Sequence, residues 1–255
     1  MTSIAYETYH LGWRSVRRFF RVPSNWIGTL LFPLVQLFAF SQLFKDIVQL
    51  PGFATTSYLA YLTPGQIIFA VFFATAWSGM SLLSDYRSGY LDKLRASPIT
   101  RASILWGELA PLLLTSAFMG GSILGISILL GVTVASGLPG VLMILALSAG
   151  FGLAWSGTSF VPALITKNEQ AAGTLAIVFI PLAFLSTAYV PVSLMPDWLQ
   201  AFNRVNPVSY VIEALRSLIT TGFDWPVIGR AIVAILLLGL FLQAITFWAF
   251  RRLTN

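Results

Sequence analysis

Long apolar runs separated by short charged segments make up most of this 255-residue chain. The charge-free stretches are residues 22–44, 47–84, 109–166, 170–196 and 231–250. A transmembrane helix needs about 20 apolar residues to cross roughly 30 Å of hydrocarbon. The stretch 109–166 is long enough for two crossings, and Gly137, Pro139 and Gly140 break it near its middle. The pattern therefore predicts an all-α membrane protein with six transmembrane helices.

These six predicted helices place a cytoplasmic loop at 85–108 and an external loop at 191–229, within a single transmembrane domain covering 1–255. Eleven of the fifteen Lys and Arg residues then fall on one side of the membrane. Basic residues are retained in the cytoplasm, so both termini are predicted to be cytoplasmic. The predicted spans are about 26–44, 61–84, 109–134, 140–165, 171–190 and 231–250.

Composition agrees with a membrane protein, because 57% of the residues are hydrophobic and only 9% are charged. A soluble domain of this length could not bury so much apolar surface. The net charge of +6 comes from short basic clusters between apolar runs, which favours membrane orientation over nucleic-acid binding. Cysteine is absent and His10 is the one histidine, so thiolate metal sites are excluded. We expect a multi-pass protein of the bacterial cytoplasmic (inner) membrane.

Residues 1–25 are predicted to form an amphipathic helix at the cytoplasmic membrane surface. Tyr9, Trp13, Val16 and Phe20 recur on one side of a helical wheel, and the charged residues fall mainly elsewhere. A simpler alternative is a basic flank that only sets topology. The apolar run that follows is too long for a signal peptide. The interface-helix residues are Trp13, Arg14, Arg17, Arg18 and Arg21.

The cytoplasmic loop contains a short predicted helix that ends before Pro98. Tyr90, Leu91 and Leu94 form a small apolar face among charged residues. A helix of this kind has nothing within the loop to pack on, so it suits docking to a soluble partner. The alternative is that it lies flat on the bilayer.

In the external loop, Asn206 and Pro207 are typical of a helix start, and an apolar stripe follows from Val208 to Ile219. A re-entrant or interfacial helical pair fits this segment better than a mobile loop. Glu213 and Arg216 are predicted to pair across one helical turn on the polar side. That pair could line an exit path, but a weak surface ion pair is the simpler role.

The six predicted span cores contain no ionisable side chain, which disfavours coupling to an ion gradient. The sequence also lacks the Gly-Lys-Ser/Thr loop that cradles phosphates, and it has no catalytic constellation. Energy must therefore come from another chain, and this one is not an enzyme on its own. Within the spans, Gly121 and Gly125 form a GxxxG motif that permits close helix contact.

Three segments resemble the type-2 ABC exporter permeases, particularly the branch with the daunorubicin-resistance and nodulation-factor export permeases. The resemblance covers nearly the whole chain. Asp85 stands where that family often has glutamate, a conservative departure. The matching segments are Leu62 to Gly65, Asp85 to Arg101, and Pro191 through Trp198 and Asn206 to Arg216.

This resemblance implies a permease of six helices that faces a second permease, identical or different, and binds two cytoplasmic ATPase subunits. ATP and Mg would be bound by the ATPase, with no cofactor on this chain and no nucleic-acid partner. The implied ATPase-coupling residues are Asp85, Arg87, Gly89, Tyr90, Leu91, Leu94, Ser97, Pro98 and Arg101. The external motif comprises Pro196, Trp198, Asn206, Pro207, Tyr210, Glu213 and Arg216.

Members of that family export drugs, lipids or glycans. An amphiphilic drug, lipid or glycolipid is favoured here over a polysaccharide, because the spans are rich in Phe and Trp. A gradient-driven transporter or channel is a second hypothesis, and a membrane-embedded enzyme is a third. A gradient-driven transporter is disfavoured because the predicted spans carry no charge. A membrane-embedded enzyme is disfavoured because the sequence shows no convergent catalytic residues.

Overall fold

A computed structural model describes residues 4–50, 52–53, 55, 57–89, 100–168 and 179–254, and the description below refers to these. They form ten α-helices and two short 3₁₀ helices, at Lys45–Gln49 and Val192–Leu194, with no β-strand. The all-α prediction is confirmed. The α-helices are α1 Ile4–Arg21, α2 Pro23–Leu43, α3 Tyr58–Thr75, α4 Ser78–Arg87, α5 Arg101–Leu129, α6 Gly137–Thr166, α7 Phe179–Phe184, α8 Asp197–Asn203, α9 Pro207–Thr220 and α10 Trp225–Thr254.

Five segments of the described chain are long and apolar enough to cross a membrane. They correspond to the first four predicted spans and to the last one. Residues 171–178 of the fifth predicted span, 171–190, lie outside the described residues, and the described remainder contains only the short helix α7, so the count of six stays a prediction. The five segments are Trp26–Leu43, Tyr58–Asp85, Ser103–Leu129, Gly137–Thr166 and Trp225–Arg252.

Several helices extend beyond the limits that the charged residues indicated. Helix α10 begins at Trp225 rather than near residue 231, and it includes the exposed Arg230. Helix α5 begins at Arg101, inside the predicted loop 85–108. A helix ends where a capping residue satisfies its last backbone groups, and a charged side chain at the membrane surface does not end it. Backbone hydrogen bonding therefore continues past the apolar run.

The second predicted span contains a break, where α3 ends at Thr75 and α4 begins at Ser78. The Gly79 amide donates a 3.0 Å hydrogen bond to the Ser159 hydroxyl on α6. A Cβ atom at Gly79 would collide with the Ser159 carbonyl group. The break and the glycine together let α4 lie directly against α6.

Small residues bring α6 close to its neighbours on several sides. A Cβ at Gly157 would lie 2.6 Å from Cβ of Leu242 on α10, closer than two side-chain carbons can approach. By contrast, a Cβ at Gly125 on α5 would meet nothing within 4 Å. The GxxxG interpretation is therefore wrong for Gly125, whose neighbourhood is open in the described structure.

The described helices place the basic residues of several helix ends together at one end of the bundle, which we call the basic end. There, Arg87 at the end of α4 donates a 3.2 Å hydrogen bond to the carbonyl of Lys167, which follows α6. At the opposite end, the α5–α6 turn bonds to α9, with the Ala135 amide 2.9 Å from the Ile219 carbonyl oxygen. The candidate site residues fall into two groups, one at each end.

Candidate functional site

Helix α1 packs along the start of α5 at the basic end. Gly12 and Gly107 allow this approach, because a Cβ at Gly107 would lie 2.6 Å from Cβ of Leu11. Val16 is buried against the bundle, whereas Tyr9, Trp13 and Phe20 are 63%, 47% and 42% exposed. Of the aromatic side chains predicted as an apolar stripe, Tyr9 and Trp13 are thus largely exposed, whereas Phe20 also packs edge-on against Phe118 of α5, with ring centroids 4.9 Å apart.

An ion pair joins α1 to α4. One guanidinium nitrogen of Arg14 donates a short hydrogen bond to Asp85 Oδ2, and the same nitrogen lies 3.8 Å from Glu108 Oε1 on α5. The Arg14 side chain is 43% exposed, while those of Asp85 and Glu108 are 16% and 12% exposed. Two residues predicted in separate site groups therefore meet, and a third helix joins them.

Glu108 was missed by the sequence analysis, which placed it at the end of the loop. It lies in the second turn of α5 and accepts a 3.0 Å hydrogen bond from the Ser81 hydroxyl on α4. The Ser15 hydroxyl on α1 also lies 3.5 Å from its other oxygen. The available signal was a lone acid directly before a charge-free run of 58 residues.

Glu7 was also missed, although it is the first acid within a basic helix. It is 7% exposed, and its carboxylate accepts a 3.2 Å hydrogen bond from the backbone amide of Thr100. Thr100 in turn caps α5, since its hydroxyl accepts a 3.2 Å hydrogen bond from the Ser103 amide. Helix α1 therefore contacts the predicted cytoplasmic loop at Asp85 and at Thr100, on either side of residues 90–99.

The remaining coupling residues are only partly described. Arg87 is exposed at the end of α4, and Gly89 has a φ of +69°, a left-handed conformation that favours glycine. Arg101 is the first residue of α5. Tyr90, Leu91, Leu94, Ser97 and Pro98 lie outside the described residues, so the predicted loop helix stays a prediction.

The other basic residues of α1 lie on its exposed side. The Arg17 guanidinium is 5.8 Å from the centre of the Trp13 ring, within cation–π range. Arg21 is the last residue of α1. Arg18 borders a cavity of about 410 Å³ enclosed by residues of the first five α-helices, which Glu108 and Asp85 also line.

At the opposite end, two asparagines organise α8 and α9. The Asn206 side chain caps α9 by accepting a 3.0 Å hydrogen bond from the Val208 amide, and Pro207 occupies the first turn. The predicted helix start is therefore correct. The Asn203 side-chain amide donates 2.9 Å and 2.8 Å hydrogen bonds to the carbonyls of Leu185 and Leu199.

Arg216 does not form the predicted ion pair with Glu213. Its guanidinium donates hydrogen bonds to the backbone carbonyls of Thr187 and Tyr61 and lies 3.8 Å from the centre of the Tyr61 ring. Within the described chain, Arg14 makes the ion pairs closer than 4 Å. Helix spacing put Glu213 and Arg216 on one side, but the tertiary fold placed better acceptors beside the arginine.

The other residues of the external motif lie on α8 and α9 or directly beside them. Pro196 directly precedes α8, and Trp198 on that helix is 63% exposed. The Tyr210 hydroxyl donates a hydrogen bond to the Arg204 carbonyl. Burial raises the pKa of Glu213, and the charges of Arg216 and Arg230 oppose that rise.

The contacts described at the two ends join helices to one another. Among the described residues, no group of three or more His, Cys, Asp or Glu side chains could hold a metal ion. The basic end links α1, α4 and α5 through the charged side chains of Arg14, Asp85 and Glu108. The opposite end is held by backbone-directed hydrogen bonds from Asn203, Asn206 and Arg216.

Comparison with known proteins identifies relatives over most of the chain. The family model described as ABC-2 type transporter matches residues 6–220. The chain is 31% identical over 230 residues to the daunorubicin resistance ABC transporter permease protein DrrB1 of Streptomyces coeruleorubidus, covering 89% of this chain and 79% of that protein. It is 29% identical over 217 residues to a protein named as the transport permease ycf38 of Porphyra purpurea, covering 80% and 70% respectively.

A third relative is named as a doxorubicin resistance ABC transporter permease, DrrC of Mycobacterium tuberculosis. The chain is 28% identical to it over 143 residues, which is 56% of this chain and 52% of that protein. The relatives named here are thus all transport permeases, and two carry the name of an anthracycline drug.

Proposed function

Since this chain belongs to the ABC-2 type transporter family, in which its relatives are the permease subunits of ABC transporters, we propose that it works with a separate ATPase subunit to export an amphiphilic compound. The match of the family model to residues 6–220 carries this proposal. The ATPase binds ATP and Mg²⁺, and this chain supplies the membrane path.

The proposed topology has six spans with both termini in the cytoplasm of a bacterial inner membrane. The meeting of Arg87 with Lys167 at the end of the bundle that carries Arg14 supports this orientation, because three basic segments then share one side. The opposite end, with α8 and α9, is external in this topology, and α9 is a re-entrant or interfacial helix.

Helix α1 and the cytoplasmic loop 85–108, which we call the coupling loop, form the proposed contact with the ATPase. The loop contacts α1 on either side of residues 90–99, through Asp85 with Arg14 and through Thr100 with Glu7. A force applied to the loop by the ATPase therefore reaches α1, α4 and α5 together. In this proposal Leu94 and its neighbours provide the docking face, and Arg14 and Asp85 carry the movement onwards.

A second copy of this chain or a different permease completes the transporter. The exposed apolar side chains of α10 fit the surrounding lipid or such a partner, with Leu237, Leu240 and Phe241 between 65% and 70% exposed. The substrate proposed first is an amphiphilic drug, lipid or glycolipid. The drug names of two relatives favour this class over a polysaccharide.

The test is ATP-driven transport by the assembled complex. Inverted vesicles carrying this chain and its partner ATPase should accumulate a fluorescent amphiphile when ATP is added, and vesicles with either subunit alone should not. A variant ATPase that binds but cannot hydrolyse ATP is the matched control. Accumulation driven by a proton gradient without ATP would contradict the proposal.

The isolated permease should neither bind nor hydrolyse ATP, because its sequence lacks a Gly-Lys phosphate loop. Calorimetry of the purified chain with Mg-ATP measures this directly. Nucleotide binding at the affinity of the assembled complex would place an ATP site on the permease and overturn the division of roles.

A further inference from the structure

The cavity of about 410 Å³ at the basic end is lined by both polar and aromatic residues. Its polar residues include Glu108, Asp85 and Ser81. Its apolar residues include Phe73 and Trp77, whose rings stack with centroids 6.3 Å apart and an angle of 12° between their planes. The cavity therefore combines the two surfaces that an amphiphile needs.

The acidic groups lie deeper than the basic ones. The Asp85 and Glu108 side chains are 16% and 12% exposed, whereas the Arg14 side chain is 43% exposed and Arg18 is also exposed. A molecule entering from the open side therefore passes the arginines at the rim and meets carboxylate oxygens on the inner wall.

Glu108 is less well compensated than Asp85. Arg14 makes its short bond to Asp85 and stays 3.8 Å from Glu108, which is beyond hydrogen-bond distance. Its close contacts in the described chain are the neutral hydroxyls of Ser81 and Ser15, at 3.0 Å and 3.5 Å. A buried carboxylate is costly unless charge or several hydrogen bonds balance it, so Glu108 can take a further cationic donor.

We propose that this cavity binds an amphiphilic amine, with the ammonium group on Glu108 and the apolar part against Phe73 and Trp77. An ammonium group supplies a charge-assisted hydrogen bond to Glu108, which Arg14 at 3.8 Å does not make, and flat rings extend the existing aromatic stack. The inference deepens the proposed function and rests on it, because the cavity would load substrate from the cytoplasmic side. It narrows the substrate class to cationic amphiphiles.

Three probes that share one fluorophore test the charge preference. Dansylcadaverine carries an ammonium group, its N-acetyl derivative is neutral, and dansyl-aminohexanoate is anionic. Each is titrated against the full chain in nanodiscs of zwitterionic lipid, without ATP, and compared with empty nanodiscs. We expect the cationic probe to bind about tenfold more tightly than the neutral one, which corresponds to about 1.4 kcal/mol.

Glu108→Gln keeps an acceptor for Ser81 but removes the charge, so it should abolish the preference for the cationic probe while leaving the neutral probe unchanged. Glu213→Gln, at the other end of the bundle, is the control and should change neither. Ala74→Leu fills the cavity without altering the charged groups, so it should weaken both probes. If Glu108→Gln does not fold, Ala74→Leu still tests whether the probes bind in this cavity.

Tighter binding of the anionic probe, or a charge preference that survives Glu108→Gln, would overturn the inference. Because binding is measured without ATP, its outcome is separate from that of the transport assay. If the cationic probe binds selectively but no ATP-driven export occurs, the proposed function is wrong and the binding site stands. If export occurs without charge-selective binding, the proposed amine site is wrong and the proposed function stands.

Discussion

The guanidinium of Arg14 and the carboxylate of Asp85 form an ion pair across 71 residues of sequence. This pair ties the amino-terminal helix to the end of α4, from which the coupling loop begins. Asp85 is largely buried, so the pair is better shielded from water than one on an open surface. It is the shortest described connection between the two segments proposed to contact the ATPase.

Reversing one charge of this pair should uncouple transport from ATP hydrolysis. Asp85→Arg places two cations together, so we expect substrate-stimulated ATPase activity of the complex to fall several-fold while basal activity remains. The double variant Arg14→Asp with Asp85→Arg restores opposite charges and should recover most of the stimulation. Equal defects in the single and double variants would contradict a role for the pair.

The approach of α1 to α5 depends on Gly107. A Cβ at this position meets Cβ of Leu11 at 2.6 Å, so Gly107→Ala should force α1 outwards and cost about 1–3 kcal/mol. Gly125→Ala on the same helix is the matched control, because its Cβ meets nothing within 4 Å. Thermal unfolding in detergent compares the two variants. Equal melting temperatures would show that α1 is not closely packed there.

Leu94→Asp should release the ATPase from the permease. A buried anchor in an interface contributes on the order of 1–3 kcal/mol, and a carboxylate there also has to be desolvated. Co-purification from membranes measures the retained ATPase, with permease abundance as the reference. Ala96→Gly, which only loosens the helix, should have a weaker effect. Full retention of the ATPase by Leu94→Asp would favour a loop helix that lies on the bilayer.

Reporter fusions should place Ser97 and Asn255 in the cytoplasm and Asp197 outside. This arrangement follows from the eleven-to-four distribution of Lys and Arg over the two sides of six spans. One reporter enzyme that is active only in the cytoplasm and another that is active only outside are fused at each position, and their activities show on which side the residue lies. An external carboxyl terminus would rule out the six-span topology.

Arg216→Lys should destabilise the external end although it keeps the positive charge. Lysine cannot reproduce the planar group that stacks on Tyr61 and bonds to two carbonyls, and loss of those contacts costs about 1–3 kcal/mol. Arg204→Lys is the control, since Arg204 is exposed. Melting temperatures of both variants are compared in one detergent, and a shift shared by both would argue against a specific role.

The long apolar runs determined the fold class and five of the six predicted spans, because a helix in lipid must satisfy its own backbone hydrogen bonds whatever surrounds it. The sequence also marked Asn206 and Pro207 as a helix start, since capping is a local interaction. Helix limits at Arg101 and Trp225 were less well predicted, because the positions of charged residues do not stop a helix.

The tertiary structure decided which distant side chains meet. Helical spacing suggested that Arg216 pairs with Glu213, but the packing of α9 on α3 brought Tyr61 next to the arginine. Glu7 and Glu108 looked like isolated acids in the sequence, and only the packing of α1 and α4 against α5 gave them partners. Local spacing fixes the side of a helix on which a residue lies, whereas contacts between helices depend on how their surfaces fit together in three dimensions.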